Sequence, residues 1–260
     1  MIQAQNDLDI LSEWLKFNLL TINTTKTCYV IFHQKNKKVP SHNPLVVNNS
    51  IIIQKSHEKY LGLWLDSHLM WTYQINHISK KLSSLLGSLR SVSQCVPIKL
   101  RYNIYNSLVK SYLSYLIEIW GNASKTKLHE LQIKQNKLVK MLFHYHHLTP
   151  TKTIYTKLGI MNIKQLYTYN TCILIKKIIN RNIHTNLSFI KNSQIYNRST
   201  RRGSLLVIPK VRTKFAQKNI TFDGALLYNK LPYDIRNVSS HNVFKSKLCK
   251  YILTNYSEYL

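Results

Sequence analysis

The chain has 260 residues, and 37 Lys and Arg against 10 Asp and Glu give it a formal net charge of +27. That length fits one large or two small domains, and 44% hydrophobic residues can build a core, which excludes wholesale disorder. Cys28, Cys95, Cys172 and Cys249 lie far apart with no C-x-x-C pair, so the spacing excludes a zinc knuckle and a disulfide scaffold and fits a reducing compartment.

In chain order, Leu8, Leu11, Trp14, Leu15 and Leu19 recur at steps of three and four, which predicts an amphipathic helix. Asp7 and Asp9 are expected in its first turn, where acids favour the helix dipole. The polar N-terminus has no apolar signal region, and no run approaches the roughly 20 apolar residues of a membrane span. A turn from Leu20 to Lys26 leads into Thr27–Phe32, a β-branched and aromatic run that suits a strand. His33–Pro44 reads as a loop, and Leu45–Ile53 as a hairpin around Asn48-Asn49. Lys59–Leu65 is the next expected strand, in which Gly62 permits close approach of another backbone or marks an ordinary bulge.

Beyond Asp66 the pattern turns helical. Ile75, Ile78, Leu82, Leu85, Leu86, Leu89 and Val92 form a stripe, Pro97 is placed to open a second helix, and Ser124 to cap a third. Three helices with short links predict a compact bundle. The histidines of His144-Tyr145-His146-His147 do not converge on a metal and fit a helix C-terminus. Thr149-Pro150 opens another helix that Gly159 stops, and Asn162 caps a longer one. Asn192–Gly203 reads as a flexible loop, Phe222–Tyr228 as a short helix, and His241–Tyr256 as the last. The charge is uneven: residues 1–66 carry seven Lys and Arg against five acids, and residues 67–260 thirty against five. Such a field concentrates polyanions, nucleic acid first among them. A/T-rich codon bias accounts for many lysines but not for the scarcity of Asp and Glu.

Trp14-Leu15, Asn18, Leu20, Asn23, Lys26-Thr27 and Phe32, followed by Tyr60-Leu61-Gly62 and Asp66, resemble the distal palm of a non-LTR, LINE-type retrotransposon reverse transcriptase. Trp71, Lys80-Lys81, Gly87, Leu89, Pro97, Tyr105, Leu108, Tyr115, Trp120-Gly121 and Gln135 resemble the thumb and connection region that follows. Tyr228-Asn229-x-Leu231-Pro232 with Ile235-Arg236 and Phe244-Lys245 is similar to the closing segment of Jockey-like elements. The resemblance implies an α+β, mostly α fold. Residues 1–70 would be a small antiparallel palm remnant, 71–148 a thumb-like helical bundle, and 149–260 a basic helical region with its loop near 192–203. It makes Lys26 a residue of the fourth palm motif and Leu61-Gly62 the primer grip. It also makes Lys80, Lys81, Arg90, Lys99 and Arg101 phosphate contacts of the thumb. Arg198, Arg201, Arg202, Lys210, Arg212 and Lys214 make the densest basic stretch of the chain, which Tyr196 and Phe215 flank, suited to base stacking or to a disordered loop.

A polymerase needs adjacent carboxylates to hold two magnesium ions. The family's Asp pair lies upstream of the helix that opens this chain, and here only the non-adjacent Asp7 and Asp9 precede it. The expectation is therefore a segment of an RNA-directed DNA polymerase without catalytic residues or cofactor of its own, in which Lys26 has no leaving group to serve. Its expected partners are RNA, RNA–DNA or DNA duplexes bound without regard to sequence, and the missing catalytic half of the polymerase. No membrane partner is expected, and the expected compartment is intracellular, cytoplasmic or nuclear. The alternatives are an unrelated basic helical binding or interaction protein, and a decayed element product without function.

Overall fold

A computed structural model describes residues 1–183, 185–195 and 203–255. They form two compact units, Met1–Asn76 and His77–Leu260. The first combines α1 (Ile2–Phe17) with six short strands: β1 (Cys28–Tyr29), β2 (Val46–Val47), β3 (Ser50–Ile51), β4 (Ile53–Gln54), β5 (His57–Tyr60) and β6 (Leu63–Asp66). β2–β3 and β5–β6 are antiparallel hairpins, whereas β1 pairs with β4 in parallel, Cys28 opposite Ile53. The parallel pair departs from the all-antiparallel expectation. Only Cys28 and Tyr29 of the 27–32 run are strand, because the partner that reaches them is itself two residues long.

The β2–β3 turn behaves as its residues dictate. Asn48 and Asn49 take φ of 48° and 60°, the left-handed pair that a two-residue hairpin needs. Leu45, Val47 and Ile52 form one core cluster of the unit, with Ala4, Leu8, Ile22 and Tyr29 packed against it. Gln5 docks α1 on the strand edge: its amide donates to the Val46 carbonyl at 2.8 Å and accepts from the Val46 N–H at 2.9 Å. α1 begins five residues before Asp7, so Asp7 and Asp9 lie beyond its first turn. They accept hydrogen bonds from Gln3 and Gln5 instead.

The second unit is helical, and the divide between the units falls inside α2 (Thr72–Cys95). Next come α3 (Ile98–Ile104), a π-helical turn (Tyr105–Lys110), α4 (Ser111–Ser114), α5 (Ile117–Trp120), α6 (Lys125–Leu142), α7 (Thr151–Leu158), α8 (Ile163–Ile179), α9 (Asn192–Ile195), α10 (Ile220–Asn229), α11 (Tyr233–Arg236) and α12 (His241–Thr254). Pro97 and Ser124 sit at N-cap positions, and neither makes a side-chain cap bond. Asn162 and Gln165 form a complete capping box, and Gly159 closes α7 at φ 62°.

α8 is the hub. It packs against α4, α5, α6, α10 and α12 and is buried round most of its circumference, more widely than its single apolar stripe suggests. Its first turn therefore lies in the interior and needs protein partners for its backbone groups, whereas its C-terminal end at Asn180 reaches the surface. Gln132 of α6 accepts from the Ile163 N–H at 2.9 Å, and Gln135 donates to the Met161 carbonyl at 2.9 Å and the Tyr105 hydroxyl at 2.8 Å. Gln165 donates across to the Ile252 carbonyl of α12 at 2.9 Å.

Glycine sets two of the approaches to α8. A Cβ at Gly121 would lie 2.5 Å from both the Ile117 carbonyl and the Tyr167 ring, and one at Gly224 would lie 2.9 Å from Ile175. No described helix is long and apolar enough to cross a membrane. Because the Ile117 carbonyl cannot yield without breaking its turn, Gly121→Ala is expected to lower stability by about 2–3 kcal/mol in chemical denaturation. A loss below about 0.5 kcal/mol would show that this junction adapts.

Candidate nucleic-acid interface

The β5–β6 hairpin pairs His57 with Asp66, Glu58 with Leu65, Lys59 with Trp64 and Tyr60 with Leu63. Two residues remain for its turn, and both are left-handed: Leu61 at φ 46° and Gly62 at φ 84°. Glycine takes that conformation freely, but a leucine there costs about 1–2 kcal/mol. Leu61 is nevertheless 72% exposed, beside an exposed Tyr60. Below the tip, Leu63 is buried and the His57 ring stacks on Tyr73 at 3.7 Å between centroids. The hairpin is thus firmly based, with a strained and apolar tip.

Lys26 stands in a second turn. The Asn23 carbonyl accepts from the Lys26 and Thr27 N–H groups at 3.2 and 3.0 Å, and the Asn23 side chain accepts from Lys26 N–H and the Thr25 hydroxyl. This Asx geometry leaves Lys26 exposed at the entrance to β1. Lys55, in the link between β4 and β5, pairs with Glu58 of β5 at 2.6 Å. Lys55 holds the Glu58 carboxyl below its ordinary range, while burial and then Glu58 push the Cys28 thiol up.

Of the cations expected on the bundle, Lys80, Lys81, Arg90 and Lys99 are exposed. Arg101 is half-buried and its Nε donates to the Val96 carbonyl at 2.9 Å, closing the α2–α3 link. Lys80 and Arg90 lie about 80° apart around α2, whereas Lys81 and Arg90 lie about 180° apart. The helix therefore brings Lys80 and Arg90 toward one side and sends Lys81 to the other. Lys134, which the sequence did not single out, crosses from α6 to α2, donating to the Ser79 carbonyl at 3.1 Å and the Ser83 hydroxyl at 2.7 Å. Lys210, Arg212 and Lys214 are exposed, and Arg198, Arg201 and Arg202 lie outside the described residues.

The unit's other polar groups are structural. Asp223 accepts from the Tyr167 hydroxyl at 2.6 Å and the Asn122 amide at 3.1 Å, joining α8, α10 and the segment after α5. Burial, then the Asp223 charge, drives the Tyr167 pKa up. His144 lies just past α6 at φ 55° and contacts the Ser93 carbonyl at 3.1 Å. Among the described residues no three His, Cys, Asp or Glu side chains gather to hold a metal ion.

Lys176 of α8, 6% exposed, donates to the Arg236 carbonyl at 2.9 Å and lies 5.4 Å from the Phe244 ring centre. Burial and then the charge of Lys191 lower its pKa from 10.5. The folded chain therefore releases this proton before the unfolded chain does, and the Lys176 contribution to stability rises with pH in the window below 10.5. Melting curves of the wild type and Lys176→Met should diverge in the wild type's favour as pH climbs toward 10.5. A difference independent of pH contradicts that. Leu61→Asn, which suits the left-handed turn, should raise stability by about 1 kcal/mol; a lower melting temperature would mean that Leu61 is not strained.

Three comparisons bear on this arrangement. The chain is 24% identical over 170 residues to a probable RNA-directed DNA polymerase from transposon BS of Drosophila melanogaster, covering 64% of this chain and 19% of that protein. It is 27% identical over 146 residues to the RNA-directed DNA polymerase from mobile element jockey of Drosophila funebris, covering 53% and 15%. It is 25% identical over 134 residues to the probable polymerase from the Drosophila melanogaster X-element, covering 50% and 14%. The chain thus spans less than one fifth of the length of each. No family model matches it, and no solved structure matches significantly. The curated homologues of this chain include RNA-directed DNA polymerases of Drosophila non-LTR retrotransposons.

Proposed function

We propose that the chain is the part of a retrotransposon reverse transcriptase that grips the primer–template duplex, binding through phosphates and without the metal-holding aspartates of synthesis. Residues 1–70 are the distal palm, 71–148 the thumb and 149–260 a basic extension. The observation that carries the reading is charge: after Asp66 the chain bears thirty Lys and Arg against five acids. Phosphate contacts supply affinity and position but no sequence readout. The exposed cations on α2 and α3 suit the backbone of a duplex, and the Leu61-Gly62 tip suits the primer strand.

Helix α1 supports a protein partner. Ile10, Trp14 and Phe17 lie within about 60° of its circumference, on a side away from Ala4 and Leu8. Trp14 is 57% and Phe17 88% exposed. A helix apolar on two faces is built to sit between two layers. The partner proposed for the outer face is another part of the same polymerase, since the relatives are several times longer than this chain.

Binding of random-sequence primer–template duplexes should weaken as salt rises, with a log–log slope of about −0.7 to −0.9 per phosphate contacted. Lys80→Ala with Arg90→Ala should flatten that slope by about one to two contacts for every duplex tested. A salt-independent affinity, or binding that favours one duplex sequence, contradicts the reading. So does primer extension by the chain alone with magnesium and nucleotides.

A further inference from the structure

Asp66 ends β6 and is 6% exposed, a burial that a carboxylate tolerates only with its charge satisfied. Among the described residues it is satisfied by backbone. Its Oδ1 accepts from the N–H groups of His68 at 3.3 Å and Met70 at 2.9 Å, and its Oδ2 from Trp71 at 2.8 Å. The Leu69 N–H adds a bond to the Asp66 carbonyl at 2.9 Å. These bonds gather residues 67–71 into a knot holding two left-handed non-glycine residues, Leu69 at φ 50° and Trp71 at φ 60°. The Trp71 carbonyl then accepts from Ile75 at 3.0 Å in the first turn of α2. Two further ties join the hairpin to that turn: Trp64 N–H donates to Gln74 at 3.1 Å, and His57 stacks on Tyr73. Strain that persists against a buried charge marks a geometry the surrounding chain enforces.

We propose that Asp66 is a positioning residue for duplex binding. Its carboxylate makes the β5–β6 hairpin and the first turn of α2 one rigid piece, so the Leu61-Gly62 tip meets the primer strand in a fixed direction. This rests on the duplex-gripping function proposed above and adds the residue that aims the tip. A purely structural role would show in stability alone, and glycine separates the two roles. Leu69→Gly removes the left-handed strain without restoring direction.

The test compares wild type, Asp66→Asn and Asp66→Asn/Leu69→Gly by duplex affinity and by melting temperature. Asp66→Asn should bind about tenfold more weakly, because a tip no longer held in one direction must be ordered on binding. The double variant should recover the melting temperature but not the affinity. Recovery of both, or wild-type affinity in Asp66→Asn, overturns the proposal. If Asp66→Asn does not fold, Gln74→Leu cuts a neighbouring tie and leaves the carboxylate in place. A stable Gln74→Leu that binds the duplex less tightly supports a rigid hairpin base, and one that binds like wild type overturns it. Failure of the wild type to bind any duplex would instead defeat the gripping function itself.

Discussion

A helix that starts in the interior cannot leave its first N–H groups to water, and α8 imposes that constraint on the second unit. Its first N–H groups meet Asn162 and Gln132 rather than water, and Gln165 reaches from its first turn to the last turn of α12. Near its other end Lys176 closes the final carbonyl of α11. Each bond is worth only about 1 kcal/mol net, but an unmade one in the interior costs about 1–3 kcal/mol. The glutamines and the lysine are therefore conditions of the packing. Apolar substitutes of the same size would leave backbone groups stranded.

The first unit solves the same problem on a smaller scale. Gln5 supplies a side-chain amide to the edge of β2, and Asp66 supplies a carboxylate to three N–H groups of an irregular turn. Its chief cost sits at exposed positions, in the left-handed Leu61 and the solvent-facing Trp14 and Phe17. Buried strain and burial of a charge are matched by hydrogen bonds, whereas Trp14 and Phe17 keep their apolar surface exposed. A nucleic-acid strand at the hairpin tip and further polymerase along α1 are the occupants proposed above. The division of charge agrees with this. The unit with the exposed apolar helix is nearly neutral, and the excess of cations lies in the helical one.

Local chemistry was legible at several positions where a residue acts on its own neighbours, although Ser124 reached its N-cap position without a side-chain bond. Asn48-Asn49, Gly159 and the Asn162 cap need only a few adjacent residues, and each took the conformation its type favours. The resemblance likewise picked out the Leu61-Gly62 hairpin. What stayed hidden depends on distant partners. The start of α1 carries the polar Gln3 and Gln5, whose reason lies in Asp7, Asp9 and a strand 41 residues away. The parallel β1–β4 pair is two residues long and has no periodic signal. Lys176 reads as one solvated cation among many until Phe244 and Arg236 close over it. Asp66 matched a motif in sequence, but the role proposed for it rests on its backbone bonds and on the left-handed Leu69 and Trp71.

The most direct measurement is photocrosslinking of a primer–template duplex carrying a reactive group on the primer backbone, with the attached peptides identified by mass spectrometry. The account predicts attachment at the β5–β6 hairpin and along α2 and α3, with duplexes of unrelated sequence giving the same map. Attachment confined to the tail beyond residue 203, with the hairpin untouched, would contradict it.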